Sequence, residues 1–137
     1  MSDSEGKIIN LPKIIDPRGN LTVAEQMHDI PFDVKRVYWV YDVPSGENRG
    51  GHAHKDCREF IIAVSGSFTV TLDDGKETKT FLLNHPYQGL LVETGIWRTL
   101  EDFSSSAVCL VLASDLFDDE DYIREYEDYI KYLECSK

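Results

Sequence analysis

From Lys35 to Ala113 the chain is a ladder of short apolar runs, each closed by a turn signal. Lys35 to Asp42 reads Lys-Arg-Val-Tyr-Trp-Val-Tyr-Asp, a strand of β-branched and aromatic residues. Its period of two puts Arg36, Tyr38 and Val40 on one face and Val37, Trp39 and Tyr41 on the other. Phe60–Val64, Phe68–Leu72, Lys76–Leu83, Leu90–Glu93, Ile96–Leu100 and Ala107–Ala113 follow as further strands. Between them stand Ser65-Gly66-Ser67, Asp73-Asp74-Gly75, Asn84-His85-Pro86 and Thr94-Gly95. The Asp-Gly pair predicts a type I′ hairpin. Two weaker strands, Lys7–Ile15 and Leu21–Glu25, flank a turn at Asp16–Asn20. This spacing predicts an all-β sandwich or barrel.

The tail has a different period. Tyr122, Ile123, Tyr126, Tyr129, Ile130 and Leu133 recur at helical spacing behind an acidic start, Asp118 to Asp121. A C-terminal helix is expected over 119–134, its aromatic stripe serving as core or subunit packing. Residues 1–6 are polar and expected to be disordered.

A chain of 137 residues suits a single domain with a real core. No apolar run is long enough to cross a membrane and no signal-peptide pattern opens the chain. The three cysteines, Cys57, Cys109 and Cys135, form no CxxC pair and are expected to be buried small apolar residues. Together these features point to a cytoplasmic protein with no membrane partner. A net charge of −11 argues against nucleic acid. Yet Lys35, Arg36, Arg49, Lys55 and Arg58 share a 24-residue window. A cationic patch on an acidic chain suits a small phosphorylated ligand.

Gly46 to Phe60 lies inside that window and carries His52 and His54. On a strand the two imidazoles share a face, with Cα atoms roughly 6.5–7 Å apart. Histidine titrates near neutrality and also binds metals, so the pair is either an acid/base site or a metal site. His28 and His85 sit in polar or turn contexts and read as incidental, and Asp73-Asp74 is a turn rather than a carboxylate dyad.

Gly46, His52, His54, Glu59 and Gly66 fit G-x5-HxH-x4-E-x6-G, a pattern that resembles the first signature of the cupin superfamily. The resemblance implies an all-β cupin jelly roll (a double-stranded β-helix) with a short C-terminal α-helix, in one domain spanning 1–137. In metal-binding cupins the two histidines and the glutamate are ligands and a second motif adds a histidine. Here that place holds Arg98, a permanent cation that cannot be a ligand.

A closer resemblance runs along most of the chain. It rests on Lys35–Tyr38, Arg49–Lys55, Val64–Ser67, Leu72–Gly75, Asp102–Ser105, Val111–Asp115 and the late run Asp121 to Tyr126. These are similar to the metal-independent nucleotide-sugar 3,4-ketoisomerases. The resemblance implies a homodimer that moves the carbonyl of dTDP-4-keto-6-deoxyglucose from C4 to C3 through an enediol, with no metal and no cofactor. It also implies His52 and His54 as the acid/base pair, His52 taking the C3 proton, with Tyr38 assisting. Arg36, Arg49 and Lys55 would hold the diphosphate, and Arg18 and Arg98 would complete substrate binding. Trp39 and Trp97 lie either in the core, the favoured reading, or near the thymine base.

Two departures stand out. Several family members have Trp-His where this chain has Trp97-Arg98, which leaves the C4 stereochemistry open. Glu59 stands where Gln is expected; it either raises the pKa of a neighbouring imidazolium or partly rebuilds a metal site. The rival readings are a metal-dependent cupin enzyme using His52, His54 and Glu59, and a non-catalytic sugar-nucleotide-binding cupin.

Overall fold

A computed structural model of the chain describes residues 6–135. The strands are β1 (Lys7–Asn10), β2 (Lys13–Ile14), β3 (Leu21–Thr22), β4 (Arg36–Tyr41), β5 (Arg49–His54) and β6 (Glu59–Ser65). They continue as β7 (Phe68–Asp73), β8 (Thr78–Leu83), β9 (Gln88–Val92), β10 (Trp97–Glu101), β11 (Val108–Ala113) and β12 (Tyr122–Ile123), before helix α1 (Tyr126–Cys135). Two five-stranded sheets in the orders β1-β9-β6-β11-β4 and β12-β5-β10-β7-β8 face each other, and β2-β3 forms a separate hairpin. This is the expected cupin jelly roll with its C-terminal helix.

Alternation along the strands explains why the sheets close on each other. Ile61 and Ala63 of β6, Phe68, Val70 and Leu72 of β7, and Cys109 and Val111 of β11 belong to one inner apolar cluster. Their neighbours point outward. Phe60, Ile62, Leu91 and Leu112 on the outer face of the first sheet are covered by Leu11, Ile30 and Phe32. Gly89 matters here because a Cβ at that place would run into the Phe60 ring. On the other sheet Ala53 packs under Ile123 and Tyr129, so α1 roofs that face.

Several expectations shift in detail. The first strand is cut in two, because Leu11 turns inward between β1 and β2 and its N–H donates to Tyr87 O at 2.8 Å. The Asp-Gly turn is a longer loop, with Asp73 opposite Thr78. Asp74 Oδ1 accepts the N–H groups of Lys76 and Glu77, both at 2.9 Å, which stabilises that wider connection. The tail does not become helical at 119. Asp118 caps a 3-10 turn over Asp119–Asp121, and Tyr122 and Ile123 then pair with His54 and Ala53 of β5. The open edge of β5 captures the segment before the helix starts. Trp39 is exposed rather than core, as no described residue covers its face of β4, whereas Trp97 packs on Tyr129. Cys57 and Cys109 are buried and Cys135 is exposed. The expected disorder falls mostly on residues 1–5, outside the described residues. Gly6 itself packs against Leu72 and Leu90.

Candidate active site

The inner cluster fills only part of the roll. Towards the β4–β5 end polar side chains replace it, and a cavity of about 620 Å³ opens there. Its wall includes Arg36, Tyr38, Arg49, His52, Glu59, Arg98, Phe117, Tyr122 and Arg124. Register brings these together. Arg98 of β10 pairs opposite His52 of β5, while Tyr38 and Arg36 of β4 lie across the roll on the same inner face. Between Arg98 and Leu100 the β10–β5 register slips by one residue, a bulge at Gly50, whose φ is +77°.

Glu59 is the hub. Its side chain is 1% exposed; Oε1 accepts from Arg98 Nη1 at 2.5 Å and Oε2 accepts from Tyr38 Oη at 2.7 Å. Arg98 Nη2 also donates to Ile96 O at 3.1 Å. Burial alone would raise the Glu59 pKa, but Arg98, His54 and Tyr38 outweigh it and hold the carboxyl well below its usual range. Tyr38 moves the other way: burial first, then the Glu59 charge, push its hydroxyl far above its ordinary value.

His52 and His54 stack edge to face with ring centroids 4.8 Å apart, and Tyr122 lies 5.0 Å from the first and 4.4 Å from the second. Their roles separate. His52 lies in the cavity wall and its buried Nε2 has no hydrogen-bond partner. Burial, then Arg98 and His54, lower its pKa to about 3, so the imidazole is neutral at physiological pH. The effect expected from Glu59, an upward one, is present and smaller. His54 is fully buried one layer behind. Its Nδ1 lies 2.7 Å from Asp121 Oδ2, and its Nε2 lies 3.4 Å from Glu59 Oε2.

The cations divide as well. Arg36, Arg49 and Arg98 face the cavity, and the buried Nε atoms of Arg36 and Arg98 have no hydrogen-bond partner. Lys55 instead lines a separate small cleft beside α1. Arg58 is occupied by Glu93, at 2.8 and 3.1 Å. Arg18 stands at the tip of the β2–β3 hairpin, its side chain 90% exposed and paired with Asp16. Neither tryptophan lines the cavity. The sequence reading did not place Phe117, Tyr122 or Arg124 in the site, and assigned Tyr122 to a helical stripe. They arrive because β12 adds to the edge of β5, a pairing that leaves only the late Asp-Tyr-Ile-Arg run as its trace.

His52, His54 and Glu59 offer ligand atoms within 4.8 Å of one another. They do not fit a metal. Both Glu59 oxygens are engaged, His54 Nδ1 faces Asp121, and the Arg98 guanidinium places a permanent positive charge on the same carboxylate.

The FdtA family (WxcM-like, C-terminal) matches residues 4–134. The chain belongs to this family. It is 45% identical over 129 residues to TDP-4-oxo-6-deoxy-alpha-D-glucose-3,4-oxoisomerase of Aneurinibacillus thermoaerophilus, covering 94% of this chain and 93% of the relative. A mutant of the 3,4-ketoisomerase QdtA from Thermoanaerobacterium thermosaccharolyticum, in complex with TDP-4-keto-6-deoxyglucose, superposes with a TM-score of 0.93 at 38% identity. That match covers 96% of this chain and 95% of the other. The TDP-quinovose 3,4-ketoisomerase WlaRB of Campylobacter jejuni gives 0.87 at 41% identity, over 92% and 97% of the two chains. These isomerases thus share their overall fold with the chain.

Proposed function

We propose that the protein is a sugar-nucleotide 3,4-ketoisomerase that converts TDP-4-keto-6-deoxyglucose into its 3-keto isomer. The observation that carries the reading is His52: a neutral imidazole with an unpartnered Nε2, in a cavity wall beside a fixed guanidinium. A base that is unprotonated at working pH suits abstraction of a proton α to a carbonyl. In this reading His52 removes the C3 proton and the C4 oxygen gains a proton, giving the enediol. The C3 hydroxyl then loses its proton as C4 receives one, and the carbonyl stands at C3. Arg98 offers positive charge to the developing oxyanion. Tyr38, hydrogen-bonded to Glu59, handles the oxygen protons. His54 acts through these groups from behind the wall. Arg36, Arg49 and Arg124 line the same cavity and suit the diphosphate; Lys55 drops out of that role, because it faces another cleft.

The functional unit in this proposal is a homodimer of one-domain chains. Val37, Trp39 and Tyr41 expose an aromatic face on the edge strand β4, and Ile14, Ile15 and Leu21 expose a second apolar surface on the hairpin. Arg18 lies between those hairpin residues, does not line its own cavity, and is assigned to the cavity of a second copy. Free cysteines, and the absence among the described residues of a helix long and apolar enough to cross a membrane, support work in the cytoplasm. The test is incubation with TDP-4-keto-6-deoxyglucose in D2O, followed by NMR. A 3-keto product carrying deuterium at C4 is expected. Binding without product or exchange would instead identify a sugar-nucleotide sensor, and dependence of turnover on an added metal would overturn the acid/base mechanism.

A further inference from the structure

Asp121 ends the 3-10 turn ahead of β12, and its carboxylate turns inward instead of facing solvent with Asp119 and Glu120. Oδ1 accepts the Asp56 N–H at 2.6 Å, and Oδ2 lies 2.7 Å from His54 Nδ1. Burial works to raise its pKa, but the backbone N–H groups of Asp56 and Cys57 together with His54 outweigh it and lower the value. The group is therefore a carboxylate, and a carboxylate only accepts. The proton of this contact belongs to Nδ1.

The other nitrogen faces a second carboxylate. Nε2 of His54 is buried, makes no hydrogen bond and faces Glu59 Oε2 at 3.4 Å. The groups around His54 are Glu59 from β6, His52 from its own strand, Tyr122 from β12 and Cys57 from the following turn, with Tyr38 and Arg98 behind Glu59. His54 has no place in the cavity wall, and neither has Asp121.

We propose that Asp121 is a positioning residue of the isomerisation, holding one His54 proton on Nδ1 so that Nε2 is the nitrogen that exchanges a proton with Glu59. This rests on the isomerase reading above. With Nδ1 so held, Asp121, His54, Glu59 and Tyr38 form a row from the C-terminal strap to the cavity wall. Nε2 gives a proton through Glu59 and Tyr38 to the C4 oxygen as the enediol forms, and takes one back from the C3 hydroxyl by the same route as the enediol collapses. The row neither gains nor loses a proton over a turnover.

Asp121→Asn is the decisive variant. The amide oxygen can still accept from Asp56, but the amide N–H2 then faces Nδ1, which must become the acceptor. The proton moves to Nε2, the inversion known from a buried carboxylate–imidazole pair. We expect kcat to fall at least about tenfold while KM for the sugar nucleotide stays within about twofold. The kcat pH profile should shift, and combining the change with His54→Asn should add little further loss. Proton–nitrogen NMR reads the tautomer directly: the proton on Nδ1 in the unaltered protein, on Nε2 in the variant. A folded Asp121→Asn protein with unchanged kcat would overturn the proposal. So would a His54 in the unaltered protein protonated on Nε2 alone, a measurement that decides even where the variant fails to fold. Failure of the unaltered protein to isomerise the 4-keto sugar would instead sink the isomerase reading, while the tautomer spectrum still reports on Asp121.

Discussion

Glu59 and Arg98 press a carboxylate and a guanidinium together where each side chain is only 1% exposed. Such a pair adds little net stability, because desolvation offsets most of the attraction. Removing one partner is another matter, since it leaves the other charge buried alone. Arg98→Met is expected to cost about 3–5 kcal/mol in urea unfolding at pH 7; an unchanged midpoint would show that Glu59 is not held by Arg98. His52 carries a different expectation. His52→Asn removes the base and leaves the cationic wall, so turnover is lost while TDP binding by calorimetry stays close to that of the unaltered protein. Equal loss of both would refute the division of roles. With its pKa lowered to about 3, the acid limb of kcat/KM should lie well below pH 6.5. An acid limb at or above 6.5 would mean that His52 is an ordinary solvated imidazole or not the base. At this scale the sequence showed which residues matter and less of how they divide. His52 and His54 look equivalent in an HxH pair, and only burial sets one in the wall and the other behind it.

Strand β5 does two jobs at once. Its inner face presents His52 and His54, its outer face places Ala53 under α1, and its free edge captures Tyr122–Ile123. The bulge at Gly50 lets the strand reach Arg49 and His52 in different registers against β10. Gly50→Ala should cost on the order of 1 kcal/mol from the positive φ, and the new methyl would lie 2.7 Å from Leu100 Cδ1, the movable end of a side chain. Because the bulge aims His52, kcat should drop by more than the stability change explains. Full activity in a folded variant would remove the bulge from the account. Most strands were legible in the sequence, since alternation and turn residues are local. The tail was not. Acidic residues followed by aromatics at helical spacing look the same whether the first turn is helical or lies along an open sheet edge, and that edge belongs to a strand some seventy residues away.

The whole molecule responds to acid in one direction. Glu59 and Asp121 have folded pKa values below their ordinary 4.5 and 3.8, so the unfolded chain takes up those protons first as pH falls. Their stabilisation is complete above that range and is lost on going down through it. His52 adds the same sign: unfolded it protonates near 6.5, folded only near 3, so stability also declines between those values. The urea midpoint is expected to fall below pH 6.5 and more steeply below about 4.5; a midpoint constant down to pH 4 would contradict it. The exposed Val37, Trp39 and Tyr41 belong to this scale too. Trp39→Glu should convert the proposed dimer into monomers in light scattering, whereas a dimer that survives would move the proposed contact elsewhere.

By itself the sequence determined an all-β sandwich or barrel, the histidine motif and the clustered cations, and the resemblance of that motif to cupins implied the jelly roll. Those are carried by period-two alternation, turn chemistry and short contiguous patterns, all of them local. Tertiary structure alone decided that Lys55 faces a different cleft, that Arg18 does not line its own cavity, and that Asp121 reaches His54. Each of these depends on which strand edge a distant segment pairs with, and pairing is governed by burial and register across the whole fold.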